Sequence, residues 1–291
     1  MILVTGSTGQ FGKAAIDFLL KKGVSANNIS ALVRDETKAS DLKAKGITLK
    51  IGDYSNYASL VEAFTGIDKL LFVSGSEIEI REKQQDNVVK AAKEAGVKHI
   101  LYTSFERKNE TQTSPIAFVG KSHIHTENSI KASGMTYTIF RNNLYTELLP
   151  LFFGEKVLET GIYLPAGDAR IGLASRNDMA EAAANVLMSD GHENKQYVIS
   201  NTENVSFHEI AEDLSQVSGK SITYTNADHA SYLDTLSKAG VPKEYAGMFS
   251  AFSEAMKQGE FAPAENDLEN LLGRKPISVK AQLTEIYTPK N

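Results

Sequence analysis

The sequence of 291 residues contains no cysteine. This absence excludes disulfide bonds, catalysis by a thiolate and metal sites built from cysteine. Long hydrophobic runs are also missing, because no apolar stretch approaches the roughly 20 residues that span a bilayer. The N-terminus lacks the basic segment that opens a secretory signal. We therefore expect a cytoplasmic protein that does not bind a membrane.

Positive charge is scarce as well. Lysine and arginine number 31 against 36 acidic residues, which gives a net charge of −5. This balance argues against a nucleic-acid-binding surface, since such surfaces attract phosphate with excess positive charge. Hydrophobic residues make up 42% of the chain, enough for a sizeable core. Length and composition predict one large α/β domain, or such a domain with a smaller appendage.

A glycine-rich turn follows the first apolar segment. Ile2-Leu3-Val4 predicts a buried strand, and a helical pattern begins soon after it. Between them stand Gly6, Gly9 and Gly12. Glycine there permits a sharp turn, close approach of a pyrophosphate and tight packing of the helix, whose N-terminus attracts phosphate. The spacing is Gly-x-x-Gly-x-x-Gly, and its place between strand and helix favours a dinucleotide site over an ordinary turn.

Strand and helix signals alternate through the first 140 residues. Near-continuous apolar strands separated by helices indicate a parallel sheet with both faces covered. The sequence therefore predicts an α/β fold with a Rossmann-type, doubly wound parallel sheet, whose ligands bind beyond the carboxyl ends of the strands. The predicted strands are 2–4, 29–33, 47–51, 69–73, 99–103 and 136–140, and the predicted helices between them include 55–64, 84–95 and 120–133.

The pattern changes after about residue 145. Glycine and proline punctuate residues 146–175, which predicts loops. We expect residues 1–145 to form the dinucleotide-binding domain, completed by a helix and a strand within 176–200. Residues 146–175 and 201–291 would form a smaller, mainly helical region that binds substrate or acts as a lid. Its predicted helices open with a capping box at Ser206 and Glu209 and continue at 230–239, 245–257 and 265–272.

Two residues at the end of the second predicted strand bear on the choice of cofactor. Arg34 stands 22 residues after Gly12, where an arginine accommodates the 2′-phosphate of NADP and an acid binds the 2′-hydroxyl of NAD. The planar guanidinium can bind two phosphate oxygens and stays charged. The neighbouring Asp35 leaves open the alternative that the ribose hydroxyl is bound. The pattern favours NADPH over NADH.

Small and polar residues follow the third, fourth and sixth predicted strands. Asp53 could face the adenine ring or cap the next helix. Ser74-Gly75-Ser76 would let the backbone pass close to a cofactor, and Asn142 and Asn143 end the sixth strand. A simple turn would explain each group alone. Because the carboxyl ends of parallel strands meet at one edge of the sheet, we expect one shared site.

Several segments resemble a known family. The opening Val4–Gly12 segment is similar to the short-chain dehydrogenase/reductase superfamily, in its extended or atypical branch. Further segments resemble the NmrA-like group, whose members include quinone oxidoreductases of the short-chain type and triphenylmethane reductases. These segments are Val33-Arg34-Asp35, Gly52-Asp53-Tyr54, Lys69–Ser76, 95–100, 138–142 and 191–195. The resemblance covers nearly the whole chain and is tightest through residue 200.

The resemblance implies which residues hold the cofactor. Arg34 would recognise the 2′-phosphate of NADPH. Phosphate contacts would come from the glycine-rich turn, which comprises Gly6, Ser7, Thr8, Gly9, Gln10, Phe11 and Gly12. Contacts on the nicotinamide side would come from Ser74, Gly75, Ser76, Asn142, Asn143 and Leu144.

The usual proton donor of the superfamily is missing. Short-chain dehydrogenases carry Tyr-x-x-x-Lys on the helix after the fifth strand, but no such motif stands here. Alignment on Glu127 places Val119 at the tyrosine position and His123 at the lysine position. His123 is a candidate to support the ribose, with a hydrogen bond to a neighbouring residue as the alternative. His125 lies on a different face of the helix, which argues against a metal site.

The resemblance implies an NADPH-dependent reductase that transfers a hydride to a quinone or a similar electron-poor conjugated acceptor, such as a triphenylmethane dye. Such a reaction depends mainly on positioning, because the reduced product can take its proton from water. Tyr145 is a candidate for the acceptor pocket, although a core position is the alternative. The alternative function is a non-catalytic NmrA-like redox sensor that acts through a protein partner. The missing tyrosine argues against a sugar-nucleotide epimerase.

Overall fold

The computed structural model describes residues 1–263 and 265–288, and a parallel β-sheet runs through its centre. The strands of this sheet are β1 (Ile2–Val4), β2 (Ile29–Val33), β3 (Thr48–Ile51), β4 (Lys69–Phe72), β5 (His99–Phe105), β6 (Thr136–Asn142) and β9 (Lys195–Ile199). They stand in the order β3-β2-β1-β4-β5-β6-β9, and each neighbouring pair is parallel. This order confirms the predicted Rossmann-like, doubly wound α/β fold.

Helices connect the strands and continue beyond them. In chain order they are α1 (Gln10–Lys21), α2 (Ser40–Ala44), α3 (Tyr57–Phe64), α4 (Arg81–Glu94), α5 (Ala117–Ala132), α6 (Leu149–Phe153), α7 (Val157–Thr160), α8 (Arg176–Met188), α9 (Phe207–Ser218), α10 (His229–Lys238), α11 (Lys243–Lys257), α12 (Leu268–Leu272) and α13 (Val279–Tyr287). Short 3₁₀ helices span Ala26–Asn28, Glu36–Ala39 and Thr146–Leu148. No helix in the described part of the chain is long and apolar enough to cross a membrane.

Each face of the sheet carries its own hydrophobic core. On one face, α1, α8 and α12 pack against residues such as Val4 and Leu71. On the other face, α3, α4 and α5 pack against residues such as Leu3 and Leu70. Strands β1 and β2 are buried along their whole length, as expected for apolar strands between two helical layers. The ends of these strands are therefore held rigidly.

Residues after β6 build a second core beside the sheet. It gathers side chains from α6, α9, α11 and α13. Two short sheets border it, in which β7 (Ile162–Leu164) pairs with β11 (Tyr224–Asn226) and β8 (Arg170–Ile171) pairs with β10 (Val205–Ser206). The sequence did not predict these pairs or α13. Strands of two or three residues are too short to show a hydrophobic period, and their partners are distant in the chain.

The predicted elements differ from the observed ones mainly at their ends. The capping box is confirmed: Ser206 accepts from the backbone N–H of Glu209, whose carboxylate accepts in return from the backbone of Ser206. Helix α4 begins at Arg81, three residues before the prediction, and β5 continues to Phe105, two residues beyond it. The strand predicted within 176–200 is β9, which pairs with β6.

Candidate functional site

A cleft of about 540 Å³ opens at the carboxyl edge of the sheet. The turns that follow β1, β2, β3 and β4 form most of its wall. Many of the predicted cofactor residues meet here: Gly6, Thr8, Gly9, Gln10, Phe11, Gly12, Arg34, Asp53, Ser74, Gly75, Ser76 and the candidate pocket residue Tyr145.

The three glycines of the first turn have different surroundings. Gly6 has a φ of +57°, a left-handed conformation that glycine adopts without a Cβ clash. A Cβ added to Gly12 would lie 2.4 Å from the carbonyl oxygen of Gly6, so α1 approaches the turn through bare backbone. A Cβ added to Gly9 would meet only that oxygen, at 3.2 Å, and Gly9 lines the cleft. Gly9 is therefore the glycine that keeps the cleft open.

The N-terminus of α1, with its first backbone N–H groups, lies at this cleft. Helix α1 begins at Gln10, directly after Gly9, and Gln10, Phe11 and Gly12 all line the cleft. No side chain of the described residues caps this end, and its first turn holds no acidic residue. The first N–H groups of a helix lack partners within the helix, and the helix dipole favours an anion beside them. This end of the cleft is suited to a phosphate group.

Arg34 and Asp35 take different roles at the end of β2. The guanidinium of Arg34 is exposed and lines the cleft. The carboxylate of Asp35 accepts from the hydroxyl of Thr37 at 2.7 Å and from its backbone N–H at 2.9 Å. These hydrogen bonds from Thr37 lower the pKa of Asp35. This carboxylate caps the next 3₁₀ helix and lies outside the lining of the cleft, to which Arg34 belongs.

Asp53 and Tyr54 form the wall after β3. The alternative that Asp53 caps the next helix was wrong, because Asn56 is the N-cap of α3. The carboxylate of Asp53 accepts instead from the backbone N–H of Ser55 at 2.7 Å, within the turn. The hydroxyl of Tyr54 lies 2.8 Å from the carbonyl oxygen of Val73, and burial raises the pKa of Tyr54. Tyr54 thus holds the ends of β3 and β4 together.

Five of the predicted cofactor residues lie outside the lining of this cleft, which is drawn from residues 1–263 and 265–288. Ser7 is buried and donates to the carbonyl oxygen of Leu32 at 2.7 Å. The amide of Asn143 donates to Ser200 and to the carbonyl oxygen of Phe261, each at 3.1 Å. The other three are Asn142, Leu144 and His123, all of them buried. Their contact with a cofactor stays a prediction.

His123 lies in the protein interior between α4, α5 and β5. Its Nδ1 is 2.8 Å from the hydroxyl of Tyr102, and its Nε2 is 3.3 Å from Nη1 of Arg81. Burial, with the nearby charges of Arg81 and Arg107, lowers the pKa of His123 to about 3. These contacts are of the kind foreseen in the alternative, a histidine held by its neighbours. His125 contacts Asp86 instead, at 2.8 Å.

A buried cluster of ionised groups lies behind the end of β5. The carboxylate of Glu127 accepts from both terminal nitrogens of Arg107, at 2.9 and 3.0 Å, and from Arg141 at 3.0 Å. Burial opposes its ionisation, but these arginines and Ser104 lower the pKa of Glu127 to about 2. Glu106 lies beside them, buried, and its Oε2 has no hydrogen-bond partner among the described residues. Burial raises the pKa of Glu106 to about 7.

Arg176 is a cleft residue that sequence reasoning missed. It is the first residue of α8, and its guanidinium lies 4.5 Å from the ring centre of Tyr145. The guanidinium also donates to Oε1 of Gln10 at 2.8 Å. A parallel bridge between Tyr145 and Ala174 brings this distant segment to the cleft. No local sequence pattern around Arg176 predicts this contact, because it depends on the pairing of Tyr145 with Ala174.

Comparison with known proteins gives concordant results. The model of the NmrA-like family matches residues 1–287. Quinone oxidoreductase 2 of Escherichia coli (strain K12) is 36% identical over 292 residues, which cover 100% of both chains. A solved triphenylmethane reductase of Citrobacter sp., complexed with NADP(H), gives a TM-score of 0.90 at 37% identity over 98% of this chain and 99% of that one. A solved NADPH-dependent quinone oxidoreductase of Escherichia coli, complexed with NADPH, gives a TM-score of 0.90 at 35% identity. The match covers 99% of this chain and 100% of that one.

Proposed function

Because the chain belongs to the NmrA-like family, we propose that it is an NADPH-dependent reductase of quinones or similar electron-poor conjugated acceptors, such as triphenylmethane dyes. Relatives named for these activities match it over its full length. NADPH supplies the hydride when it is bound. We also infer that the protein works in the cytoplasm.

The cleft at the end of β1 and β2 is the observation that carries this proposal. Its chemistry fits a phosphorylated dinucleotide, because an uncapped helix N-terminus lies beside an open backbone surface at Gly9. Arg34 provides a positive charge where the 2′-phosphate of NADPH would lie in this fold. Arg176 adds a second cation to the same lining. Two arginines and bare N–H groups together favour an anionic ligand.

We assign the remaining contacts by position. Ser74, Gly75 and Ser76 follow β4 and line the cleft, and we place them at the nicotinamide end. Asn142 ends β6, and Asn143 and Leu144 follow it. Asn143 donates to the carbonyl oxygen of Phe261 and Leu144 packs in the second core, and we place all three behind the nicotinamide end. Tyr145 lines the cleft beneath Arg176 and would contact the acceptor.

The acceptor class follows from the groups that could supply a proton. Val119 stands on α5 at the position of the missing tyrosine and has no proton to give, and His123 is neutral and buried. A quinone or a cationic dye is already electrophilic and needs no acid to activate it. Catalysis would then rest on holding the acceptor against the cofactor in an orientation close to reaction.

Consumption of NADPH in the presence of quinones and triphenylmethane dyes tests this function. We expect turnover with several quinones and a clear preference for NADPH over NADH. Calorimetry with NADPH alone should show binding in the same preparation. Binding without turnover against the whole acceptor panel would contradict the reductase and favour a redox sensor that acts through a protein partner. Absence of binding would contradict both functions.

A further inference from the structure

A chain of hydrogen bonds runs through the protein interior and ends at the cleft. It begins at Nη1 of Arg81, 3.3 Å from Nε2 of His123, whose Nδ1 lies 2.8 Å from the hydroxyl of Tyr102. The hydroxyl of Tyr102 lies 2.9 Å from Oε1 of Gln85. The amide nitrogen of Gln85 then donates to Oγ of Ser74 at 2.6 Å. Ser74 lines the cleft, while the other four residues are buried.

Arg81 fixes the direction in which hydrogen is donated along this chain of hydrogen bonds. A guanidinium has only donors, so Nε2 of His123 must accept from Arg81. A neutral imidazole carries one proton, which then resides on Nδ1 and is donated to the oxygen of Tyr102. The hydroxyl hydrogen of Tyr102 is left to be donated to Oε1 of Gln85. The amide group of Gln85 must consequently present its NH₂ to Ser74.

The protonation state of His123 supports this assignment. Burial and the neighbouring arginines lower the pKa of His123 to about 3, so the imidazole is neutral near pH 7. The hydroxyl of Thr126 lies 2.5 Å from Oε1 of Gln85 and 2.8 Å from the carbonyl oxygen of Ser122, so its single hydrogen is shared between two acceptors. The backbone N–H of Ser74 donates to Oγ1 of Thr103 at 2.9 Å. The residue at the end of the chain is thus held at both its backbone and its side chain.

We propose that this chain turns the hydroxyl hydrogen of Ser74 into the cleft, where it donates to an oxygen atom of bound NADPH. Oγ of Ser74 already accepts from Gln85, and the hydrogen bond that it donates to the carbonyl oxygen of Gly75 is 3.4 Å long, at the weak limit of a hydrogen bond. Gln85 and Arg81 are then positioning residues that act through Ser74. This inference rests on the proposed function, since it assumes that the cleft binds NADPH.

The substitution Gln85→Glu tests the direction of the chain while it preserves the side-chain shape. A protonated carboxyl can still donate to Ser74 and accept from Tyr102. An ionised carboxylate can only accept, so Ser74 would turn its hydrogen away from the cleft. We expect NADPH affinity close to that of the unmodified protein at pH 5 and about tenfold weaker at pH 8 to 9, the effect of one lost hydrogen bond.

The titration of the introduced carboxyl depends on the groups that face it. Gln85 contacts Tyr102 from β5 and Thr126 from α5. Beyond Tyr102 lie His123 from α5 and then Arg81 from α4. Calorimetric titration with NADPH between pH 5 and 9 provides the measurement. The same titration of the unmodified protein over this pH range corrects for ionisation of the cofactor phosphate. Gln196→Glu, which adds the same charge at an exposed position of β9, should follow the unmodified protein at every pH.

A second variant avoids the buried charge. Ser74→Ala should weaken NADPH binding about tenfold at all pH values. Combined with Gln85→Glu, it should remove the pH dependence of that variant, because no hydroxyl remains to be turned. Unchanged affinity in Ser74→Ala would overturn the inference, as would a pH-dependent loss that persists in the double variant. In either case, NADPH binding and quinone turnover by the unmodified protein would leave the proposed function standing.

Discussion

Gly12 and Gly6 touch through their backbones, since a Cβ on Gly12 would lie only 2.4 Å from the carbonyl oxygen of Gly6. This contact sets the angle at which α1 leaves the glycine-rich turn and directs its N-terminus at the cleft. Gly9 lies between them in an extended conformation, with a φ of −84° that any residue adopts. Gly12 therefore determines how α1 packs against the turn, and Gly9 determines access to the cleft.

The first prediction separates these two roles. Gly9→Val should reduce NADPH binding below detection while the unfolding temperature changes little, because its side chain would enter the cleft. Gly12→Ala should instead lower the free energy of unfolding by roughly 1–3 kcal/mol, the usual penalty of overpacking. Calorimetry and thermal unfolding on both variants provide the measurements. Undiminished NADPH binding by Gly9→Val would show that the glycine motif is an ordinary structural turn with no role in cofactor binding.

The second prediction concerns the choice between cofactors. NADPH should bind more tightly than NADH, and Arg34→Ala should remove most of this difference. Loss of a charge-assisted pair costs about 1.5–3 kcal/mol, or a tenfold to hundredfold change in affinity. Asp35→Asn is the matched control and should keep the preference, since Asp35 caps a 3₁₀ helix. Equal affinities for NADPH and NADH in the unmodified protein would contradict the role of Arg34.

The third prediction concerns His123. The folded pKa of about 3 lies below the ordinary value of 6.5, so the imidazole stays neutral over the whole range in which an enzyme is assayed. The kcat for quinone reduction should accordingly show no inflection near pH 6.5. His123→Ala should weaken NADPH binding yet leave turnover at saturating cofactor. A limb in kcat near pH 6.5, abolished together with activity by that substitution, would make His123 a general acid.

The fourth prediction follows from the buried carboxyl of Glu106. Its pKa is raised from 4.5 to about 7 in the folded protein, so the folded state holds a proton that the unfolded state has released. The stability of the fold therefore falls as pH rises from about 4.5 to 7 on account of this group. Glu106→Gln should raise the free energy of unfolding by about 3 kcal/mol at pH 8 and change it little at pH 4.

Denaturant unfolding at both pH values measures this difference. Glu212→Gln is a suitable control, because Glu212 is exposed on α9 and its removal should have no such pH-dependent effect. An equal change at pH 4 and pH 8 in Glu106→Gln would show that folding does not shift the pKa of Glu106.

The parts of this site that lie within one short segment could be predicted from the sequence. The parts that depend on contacts between distant segments could not. Gly6, Gly9 and Gly12 lie within one turn, and their spacing carries a conformational requirement that is visible in the chain itself. Arg34 follows a strand end that the apolar pattern marks. Arg176 reaches the cleft only because a bridge joins Tyr145 to Ala174.

The interior hydrogen bonds depend on three elements at once. Gln85 lies on α4, Tyr102 on β5 and Thr126 on α5, and their order in the chain gives no sign that they meet. A histidine on a helix has several possible partners, so the sequence left two interpretations of His123 open. Only packing fixes the neighbours, the burial and hence the protonation state of such a group.

The pairing of β9 with β6 has a consequence for the newly synthesised chain. Strand β6 ends at Asn142 and β9 begins at Lys195, so roughly fifty residues leave the ribosome between the two partners. Until β9 arrives, β6 is an open edge whose unpaired N–H and C=O groups can recruit a second nascent molecule. The second core is encoded largely within and after this interval. We therefore expect self-association in vivo to respond most strongly to substitutions that delay or weaken β9, even though β9 contributes nothing to the cleft.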